Sequence, residues 1–346
     1  MSISSRNLLI FAGAGASKAV NKEQFPTTVE FFQRIPDAVA KNPLFGISLD
    51  YINNVEKVDT VDIEHVLWSL QKLSEFYGSI SVPTDIAGFA INSGLTAKIF
   101  PGANDGNLPS LCIQLKSEID TLISDINSIV YNLYAYEPNE EELENNWLSL
   151  LNRIRLSNGF SDFDVFSTNY DAVIESSFGF AFGEQTISAF QGIKGRQRKE
   201  LDLRKWKDPA SERFGLLTKL HGSIDWKIQG DRIFVGDALF TGDHEKQGIV
   251  YPGFKGRSNI PFFGEFHDYL ESKLSTATDL IFIGFAFRDE YINDLIRSNI
   301  SSDARIVLIN PDKSVKFPSN RSKKLKYVHD YFTSDSIDVA MNFLER

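Results

Sequence analysis

The chain has 346 residues, 42% of them hydrophobic and 24% charged, so its composition is that of an ordinary globular protein with a full core. Its formal net charge of -10 argues against a general nucleic-acid coat, because such proteins are basic. The single cysteine, Cys112, excludes an intramolecular disulfide and a cysteine-based zinc site within one chain.

A short apolar run lies near the start of the chain, and glycines from Gly13 onward interrupt it. The run is too short and too broken for a membrane span, and it lacks the pattern of a secretory signal. We therefore expect a cytoplasmic protein with no membrane partner.

Five short apolar segments predict buried strands of a parallel sheet. Most of them end in Gly, Asn, His or Asp, and an open α/β sheet binds its ligand at the carboxyl ends of its strands. The segments are Asn7–Ala12, Asp164–Ser167, Leu217–Leu220, Asp279–Gly284 and Ala304–Asn310.

Helical periodicity fills the interval between the first two strand segments. Apolar residues recur at helical spacing from Ile63, with Asp62 as a candidate N-cap, and again in two later stretches. These helices are too many for one simple crossover. Residues 31–155 are therefore interpreted as a large helical insertion, with Pro101–Pro109 as a loop inside it.

A second, smaller insertion is expected at about residues 185–275. It contains a basic run, Gly192–Lys207, which is most simply a solvated surface, with phosphate or partner contact as the alternative. Residues 1–30 and 156–346 then form the main domain. The predicted fold class is α/β, a Rossmann-like parallel sheet with a large helical insertion and a small zinc-free second insertion.

A glycine-containing motif directly follows the first strand and consists of Gly13, Ala14, Gly15, Ala16 and Ser17. Two glycines let the backbone turn tightly and approach a phosphate, while the amides of the following helix face the anion. However, Lys18 stands where the usual dinucleotide fingerprint has a third glycine, and no clean acidic ribose-binding position follows. A tight strand–helix turn without a ligand is therefore the alternative.

Other strand ends also carry polar residues. Asn169 and Asp171 follow the second strand, and this pattern is common in turns and helix caps as well as in functional sites. His221 follows the third strand and precedes a glycine, which favours a functional site over the usual structural role of a single His. The two remaining strand ends carry Gly284 to Asp289 (GFAFRD) and Asn310.

Taken in order, these motifs resemble the sirtuin (silent information regulator) family. Its pattern runs Gly-Ala-Gly-x-Ser, a strand ending in Asn-x-Asp, His-Gly, a Gly-containing strand end at the dinucleotide, and Ile-Asn before the last ribose contact. The forms STNYD, KLHGS and GFAFRD look most similar to sirtuin-like domains of bacterial defence systems, such as Thoeris effectors. The resemblance covers the start of the chain and most of residues 160–346.

Two departures separate the chain from deacetylating sirtuins. Where those enzymes have Gly-Ile-Pro-Asp-Phe-Arg, this chain has Gln24 to Thr28 (QFPTT), and it lacks their four-cysteine zinc module. His244 and His267 have acidic neighbours without the spacing of a closed zinc site, and we expect both in surface loops. The departures argue against acyl-lysine chemistry and leave NAD⁺ chemistry in place.

The resemblance implies cleavage of NAD⁺ to nicotinamide and ADP-ribose, or to cyclic ADP-ribose. The pyridinium leaving group already carries positive charge, so the enzyme must mainly hold the ribose, stabilise an oxocarbenium-like transition state and aim a nucleophile. Asn169 would orient water and ribose hydroxyls, His221 would accept a proton, and Asp171 would orient neighbouring groups or complement the developing cation. The residues expected to bind NAD⁺ are Gly13, Ala14, Gly15, Ala16, Ser17, Phe25, Thr168, Gly284, Phe285, Asp289 and Asn310, of which Gly284, Asp289 and Asn310 line the adenosine side.

The resemblance also implies a biological setting, in which the chain is the toxic effector of an antiphage abortive-infection system. The expected partners are NAD⁺ as substrate, further copies of the chain, and a HerA-type ATPase or short Argonaute encoded nearby; direct nucleic-acid binding and a zinc cofactor are not expected. Two alternatives stay open at this point: an NAD⁺-dependent deacylase or ADP-ribosyltransferase, and a non-catalytic module that senses NAD⁺ or ADP-ribose and regulates a partner.

Overall fold

The computed structural model describes residues 6–58, 61–81, 108–157, 159–182, 199–200, 216–229, 232–235, 246–249, 261–319 and 324–346. The chain divides into two compact units, one formed by Met1–Thr27 with Asn132–Arg346 and the other by Thr28–Tyr131. The domain boundaries predicted from the sequence, after residues 30 and 155, remain a prediction, because a compact unit is not by itself an independently folding domain.

The described strands, in chain order, are β1 (Arg6–Ala12), β2 (Phe160–Ser167), β3 (Lys199–Glu200), β4 (Leu216–Lys219), β5 (Gly222–Gln229), β6 (Arg232–Val235), β7 (Lys246–Ile249), β8 (Asp279–Ile283), β9 (Arg305–Ile309) and β10 (Lys324–Val328). The described α-helices are α1 (Ala14–Lys18), α2 (Thr28–Gln33), α3 (Asp37–Ala40), α4 (Pro43–Tyr51), α5 (Ile63–Ser81), α6 (Leu108–Tyr134), α7 (Glu140–Leu143), α8 (Ser149–Leu156), α9 (Val173–Phe182), α10 (Pro261–Thr276), α11 (Glu290–Asn299) and α12 (Ser334–Leu344). Single π-helical segments follow α4 and α7, at Ile52–Glu56 and Glu144–Leu148.

A six-stranded parallel sheet forms the centre of the first unit, in the order β10-β9-β8-β1-β2-β4. β1, β4, β8 and β9 are almost wholly buried, as expected for strands covered on both faces. The predicted α/β fold class with its parallel sheet is confirmed. From β1 the chain first adds β2 and β4 on one side and later β8 to β10 on the other. The topological switch point, where such sheets bind ligands, therefore lies between β1 and β8.

A buried carboxylate joins three strands at the amino ends of the sheet. Asp279, the first residue of β8, is fully buried and accepts hydrogen bonds from Arg6 Nε (3.0 Å) and Arg6 Nη2 (2.7 Å). Arg305 Nε, on β9, lies 2.8 Å from the same carboxylate. Because both cations are guanidinium groups on neighbouring strands, this cluster fixes the register of β1, β8 and β9 at the edge opposite the switch point.

A small antiparallel sheet, in the order β3-β6-β5-β7, is the second insertion. β5 begins at Gly222, directly after His221, so the insertion is continuous with the end of β4. Of the predicted basic run Gly192–Lys207, only residues 199–200 lie within the described part of the chain, where they form β3.

The second unit consists of helices in its described residues. α5 begins after Asp62, whose Oδ1 accepts from the amides of Glu64 (3.0 Å) and His65 (3.2 Å), so the predicted N-cap is confirmed. The predicted loop Pro101–Pro109 is wrong at its end, because α6 already includes residues 108 and 109; residues 101–107 lie outside the described part. None of the helices described here has the length and apolarity needed to cross a bilayer.

Two hydrogen bonds close the base of this helical insertion, and both lie within the first unit. Gln24 Nε2 donates to the carbonyl of Leu133 (2.6 Å), and Tyr134 Oη donates to the carbonyl of Pro26 (3.0 Å). The chain therefore leaves the first unit and re-enters it at adjacent points.

Candidate functional site

Three glycines meet where the loops after β1 and β8 touch. Gly13 N donates to Ile283 O (3.0 Å), and Gly15 N donates to Gly284 O (3.2 Å). A Cβ on Gly15 would lie 2.7 Å from Gly284 Cα, and a Cβ on Gly284 would lie 2.4 Å from three backbone atoms of Gly15 and Ala16. Gly284 also has a φ of +54°. The glycines are therefore required by backbone packing between the two loops.

Several backbone amides of the same turn donate hydrogen bonds to carbonyl groups of the protein. Besides Gly15 N, the amide of Ala16 donates within the turn, to Gly13 O (2.8 Å). Ala16 and Ser17 are buried, whereas Ala14 and Gly15 are partly exposed. The interpretation as a tight strand–helix turn thus accounts for the glycines without a ligand, and the pyrophosphate cradle remains a prediction.

Asn169 ties the end of β2 to this turn. Its buried side-chain amide donates from Nδ2 to Gly13 O (2.9 Å) and to Ser17 Oγ (2.9 Å). A carbonyl can only accept, so the contact with Gly13 fixes which end of the amide is the NH₂ group. Thr168, one residue earlier, donates from its backbone amide to Ala12 O (3.1 Å). The sequence motifs after β1 and β2 are therefore brought together.

Asp171 is buried at the start of α9. Its Oδ1 accepts from Val173 N (3.1 Å), and the Ser17 hydroxyl also donates to this carboxylate. Burial raises the pKa of the Asp171 carboxyl, and the Lys219 ammonium, the Ser17 hydroxyl and the Val173 amide only partly oppose that rise. The Asp171 carboxylate therefore accepts a hydrogen bond at the start of a helix, as the cap-forming interpretation of the Asn-x-Asp pattern predicts. Ser17 connects the two residues of the pattern, because it donates to Asp171 and accepts from Asn169.

Lys219, which the sequence analysis did not single out, links two of the strand ends. Its ammonium is only 3% exposed and donates to the Asp171 carbonyl and to Ser223 Oγ (3.0 Å). It also forms an ion pair with Glu175 Oε1 at 3.0 Å. A lysine inside an otherwise apolar strand segment is rare without such partners, and this was the available signal in the sequence.

His221 lies at the end of β4 and pairs with Asp289. The His221 side chain is buried and that of Asp289 is partly buried, and His221 Nε2 lies 2.9 Å from Asp289 Oδ2. The other carboxylate oxygen of Asp289 accepts from Ile292 N (3.0 Å) and so caps α11. Burial alone raises the pKa of Asp289, but the His221 hydrogen bond and charge, the Ile292 amide and the charge of His267 together lower it below its usual range.

His267 is a second histidine beside this pair. The prediction that it lies in a surface loop is wrong: it is a buried residue of α10, and its ring packs against Tyr291 at a centroid distance of 4.9 Å. Helical periodicity around Phe263, Phe266 and Leu270 was the signal that could have placed it. His244 lies outside the described part of the chain.

Three predicted cofactor-binding residues are held by the protein itself. Phe25 is fully buried and packs edge-on against Tyr136, at a centroid distance of 5.8 Å. Phe285 is buried against Phe11 and its neighbours. Asn310 Nδ2 donates to the Phe285 carbonyl (3.2 Å), which ties the ends of β8 and β9 together. Their contacts with NAD⁺ remain predictions.

In the part of the chain that the structure describes, no group of three or more His, Cys, Asp or Glu side chains is arranged to hold a metal ion. The expected absence of zinc rests on the single cysteine and remains a prediction.

The carboxyl edge of the sheet therefore gathers most of the predicted residues. Leu220 N donates to Ser167 O (2.8 Å), which places the Asn169 and His221 loops on adjacent strand ends. Chemically, the edge offers a positioned amide, an imidazole and an ionised carboxylate, the groups that general-base catalysis with an oriented nucleophile requires.

Comparison with known proteins gives a family match for part of the chain. The family model described as SIR2-like domain matches residues 164–334, a range that includes Asn169, His221 and Asp289. No curated protein sequence matches the chain. Among solved structures, a Sir2 homologue in complex with NAD is 11% identical with a TM-score of 0.43, covering 99% of this chain and 91% of that one.

Two further solved structures are similarly distant. A mutant Sir2 homologue bound to 2′-O-acetyl-ADP-ribose is 10% identical with a TM-score of 0.44, and another bound to ADP-ribose is 11% identical with a TM-score of 0.43. Each alignment covers 99% of this chain and 94% of the other. The protein is an α/β protein with a six-stranded parallel sheet, and its residues 164–334 match the model of the SIR2-like domain.

Proposed function

We propose that this protein cleaves NAD⁺ between nicotinamide and ribose and transfers the ADP-ribosyl group to water, as an NAD⁺ glycohydrolase. The SIR2-like match supports NAD⁺ as the substrate. The observation that carries the proposal is the convergence of a buried, positioned amide (Asn169) and a carboxylate-paired imidazole (His221) at one edge of the sheet.

Bond cleavage needs no proton donor, because nicotinamide leaves as a neutral base with the electrons of the C–N bond. Water then adds to the oxocarbenium-like C1′ and loses a proton to His221. Both Nδ2 hydrogens of Asn169 are donated within the protein, so its side-chain oxygen is the atom that would accept from the water or a ribose hydroxyl. Attack by the adenine ring instead of water would give the cyclic product.

The direct test is nicotinamide release from NAD⁺ by His221→Ala and Asn169→Ala. Loss of the proton acceptor should lower the rate about 10²–10⁴-fold, and a misplaced nucleophile should lower it about 10²-fold. Asn169→Ala also removes the two hydrogen bonds that Nδ2 donates to Gly13 O and Ser17 Oγ, which costs about 1–3 kcal/mol of stability. Rates are therefore measured well below each variant's melting temperature.

Matched controls are His329→Ala and Asn342→Ala, which remove exposed side chains of the same types from the first unit. Both should keep wild-type turnover. Near-native turnover of the His221 and Asn169 variants, or losses that track unfolding alone, would remove these two residues from the catalytic assignment.

A deacylase or ADP-ribosyltransferase and a non-catalytic sensor are the competing functions. An acyl-lysine peptide that accelerates nicotinamide release and loses its acyl group would favour the deacylase, and ADP-ribose recovered on a protein acceptor would favour the transferase. Saturable binding of NAD⁺ without nicotinamide release would favour the sensor. The carboxylate-paired His221 favours the hydrolase over the sensor, because a module that only binds needs no activated base.

We further propose that the reaction serves antiphage defence, with the chain acting as the toxic effector in a homo-oligomer and with a HerA-type ATPase or short Argonaute as partner. The sequence motifs STNYD, KLHGS and GFAFRD support this setting. Cells that express the wild-type chain with its neighbouring genes should lose NAD⁺ after phage infection, whereas cells with His221→Ala should not. Unchanged NAD⁺ in both would count against a defence role.

A further inference from the structure

The His221–Asp289 contact spans a large part of the sheet edge. His221 follows β4, whereas Asp289 follows β8, and β1 and β2 lie between these strands in the sheet. The 2.9 Å contact therefore crosses the carboxyl ends of β1 and β2, where Gly13 and Asn169 lie. A bond across that distance requires both loops to be held in place.

The loop that carries Asp289 is held at several points. Asn293 Nδ2 donates to Phe287 O (2.8 Å), and Asn310 Nδ2 donates to Phe285 O (3.2 Å). Phe287 has a φ of 53°, which a bulky side chain adopts only when its surroundings enforce it. Asp289 itself is fixed by capping α11. This loop thus delivers one carboxylate oxygen to a defined place.

We infer that Asp289 is the positioning residue of His221 and acts through that imidazole rather than by contact with the dinucleotide. The inference rests on the proposed NAD⁺ cleavage. It reassigns Asp289 from the adenosine side, where the family resemblance had placed it, to the proton-accepting group.

The chemistry of the contact defines what Asp289 does. An ionised carboxylate can only accept, so His221 must donate from Nε2, and Nδ1 is left as the basic atom. When Nδ1 takes the proton of the attacking water, the carboxylate stabilises the imidazolium that forms. Among the residues that the structure describes, His267 on α10 is the other titratable side chain whose charge acts on Asp289, and a positive charge there works against that stabilisation.

Asp289→Asn tests this role, because Asn is as good an N-cap as Asp and has nearly the same shape. The variant should melt close to the wild type, while kcat for nicotinamide release falls about 10²–10⁴-fold, the loss expected for an imidazole without its orienting carboxylate. The KM for NAD⁺ and the Kd for ADP-ribose should stay within a factor of about three. The acidic limb of the kcat/KM profile should move to lower pH, since the carboxylate no longer favours the imidazolium.

Thr333→Ala is the matched control for loss of a cap. Thr333 caps α12, away from the site residues in the sequence, and Thr333→Ala should lower the melting temperature without lowering kcat. Asp289→Ala loses a cap as well and should lose kcat in addition. Equal kcat for Asp289→Ala and Thr333→Ala would show that Asp289 matters only for the helix.

A readout independent of turnover separates this inference from the proposed function. The chain has five histidines, so the ring nitrogens of His221 can be assigned by NMR against His221→Ala. The wild type should show the Nε2-protonated tautomer, and Asp289→Asn should lose it. A wild type without nicotinamide release would refute the proposed function while leaving this result intact. The inference is overturned if the tautomer is unchanged in Asp289→Asn, or if ADP-ribose affinity falls tenfold while kcat stays.

Discussion

Backbone contact between two loops decides which residues fit at the switch point. Gly15 and Gly284 approach so closely that a Cβ on either would lie within 2.7 Å of backbone atoms of the other loop. Backbone cannot move aside as a flexible side-chain tip can, and the positive φ of Gly284 adds strain for any other residue. The two loops therefore hold each other, and Asn169 binds to the same turn.

We predict that Gly284→Ala destabilises the protein by at least about 1–3 kcal/mol, because strain and overlap with backbone act together. Gly179→Ala is the matched control. Gly179 lies inside α9 with no atom within 4 Å of an added Cβ, so Ala should stabilise that helix by about 0.5–1 kcal/mol. Urea unfolding of the two variants measures both effects, and equal midpoints would contradict this account of the contact.

Burial of Asp171 leads to a prediction about pH. Because its pKa is raised in the folded state, the carboxyl contributes stability that is fully present below about pH 4 and is lost as pH rises through the folded-state pKa. Asp171→Asn keeps the cap of α9 and removes the ionisation. The variant should gain unfolding free energy relative to the wild type as pH rises from 4 to 7.

The control for this series is Asp335→Asn, which removes an exposed carboxylate from the first turn of α12. Its difference from the wild type should stay nearly constant over the same pH range. If Asp171→Asn instead loses stability with rising pH, then the attraction to Lys219 outweighs burial.

The position of a single residue in the fold was predictable where a strand end and a motif coincide, as at Gly13, Asn169 and His221. The partner of His221 was not, because 68 residues separate it from Asp289 and only the tertiary fold brings them together. Lys219 was missed for a related reason: its partners come from α9, from the loop before α9 and from the start of β5, and no local sequence pattern predicts them.

At the scale of elements, the strands that could be predicted from the sequence are those with a continuous apolar run. The five predicted strands are present because each is buried on both faces and leaves a continuous apolar run. β10 was missed because it lies at the edge of the sheet, where its residues KLKYV alternate between exposed and partly buried positions and so leave no continuous apolar run. The antiparallel strands β5 to β7 were also missed, because their short segments lie among turn residues.

We predict that the amino ends of the parallel strands serve stability and their carboxyl ends serve turnover, and Asp279→Ala tests this division. Asp279→Ala leaves the guanidinium groups of Arg6 and Arg305 without their shared carboxylate and should cost about 3–5 kcal/mol of unfolding free energy. Turnover per folded molecule should not change, because the cluster lies at the amino ends of the strands. A fall in kcat of the folded variant would contradict this division.

At the scale of the whole molecule, the second unit, Thr28–Tyr131, is inserted between two adjacent points of the first. We predict that replacing it with a short Gly/Ser linker leaves the first unit folded, because neighbouring ends need little chain to be joined. Far-UV circular dichroism and a single cooperative melting transition would support this. A variant that is expressed but does not melt cooperatively would show that the sheet depends on the insertion.

The hydrogen bonds at Pro26 and Leu133 also bear on how such a chain can change over time. Closing a loop costs free energy that grows only with the logarithm of its length, about 0.6 kcal/mol for each doubling. Once these two hydrogen bonds have formed, the stability of the first unit therefore depends little on the length of the polypeptide inserted between them. A lineage could therefore exchange the second unit for a longer or shorter insertion, and acquire a new mode of control, while the carboxyl edge of the sheet was inherited intact.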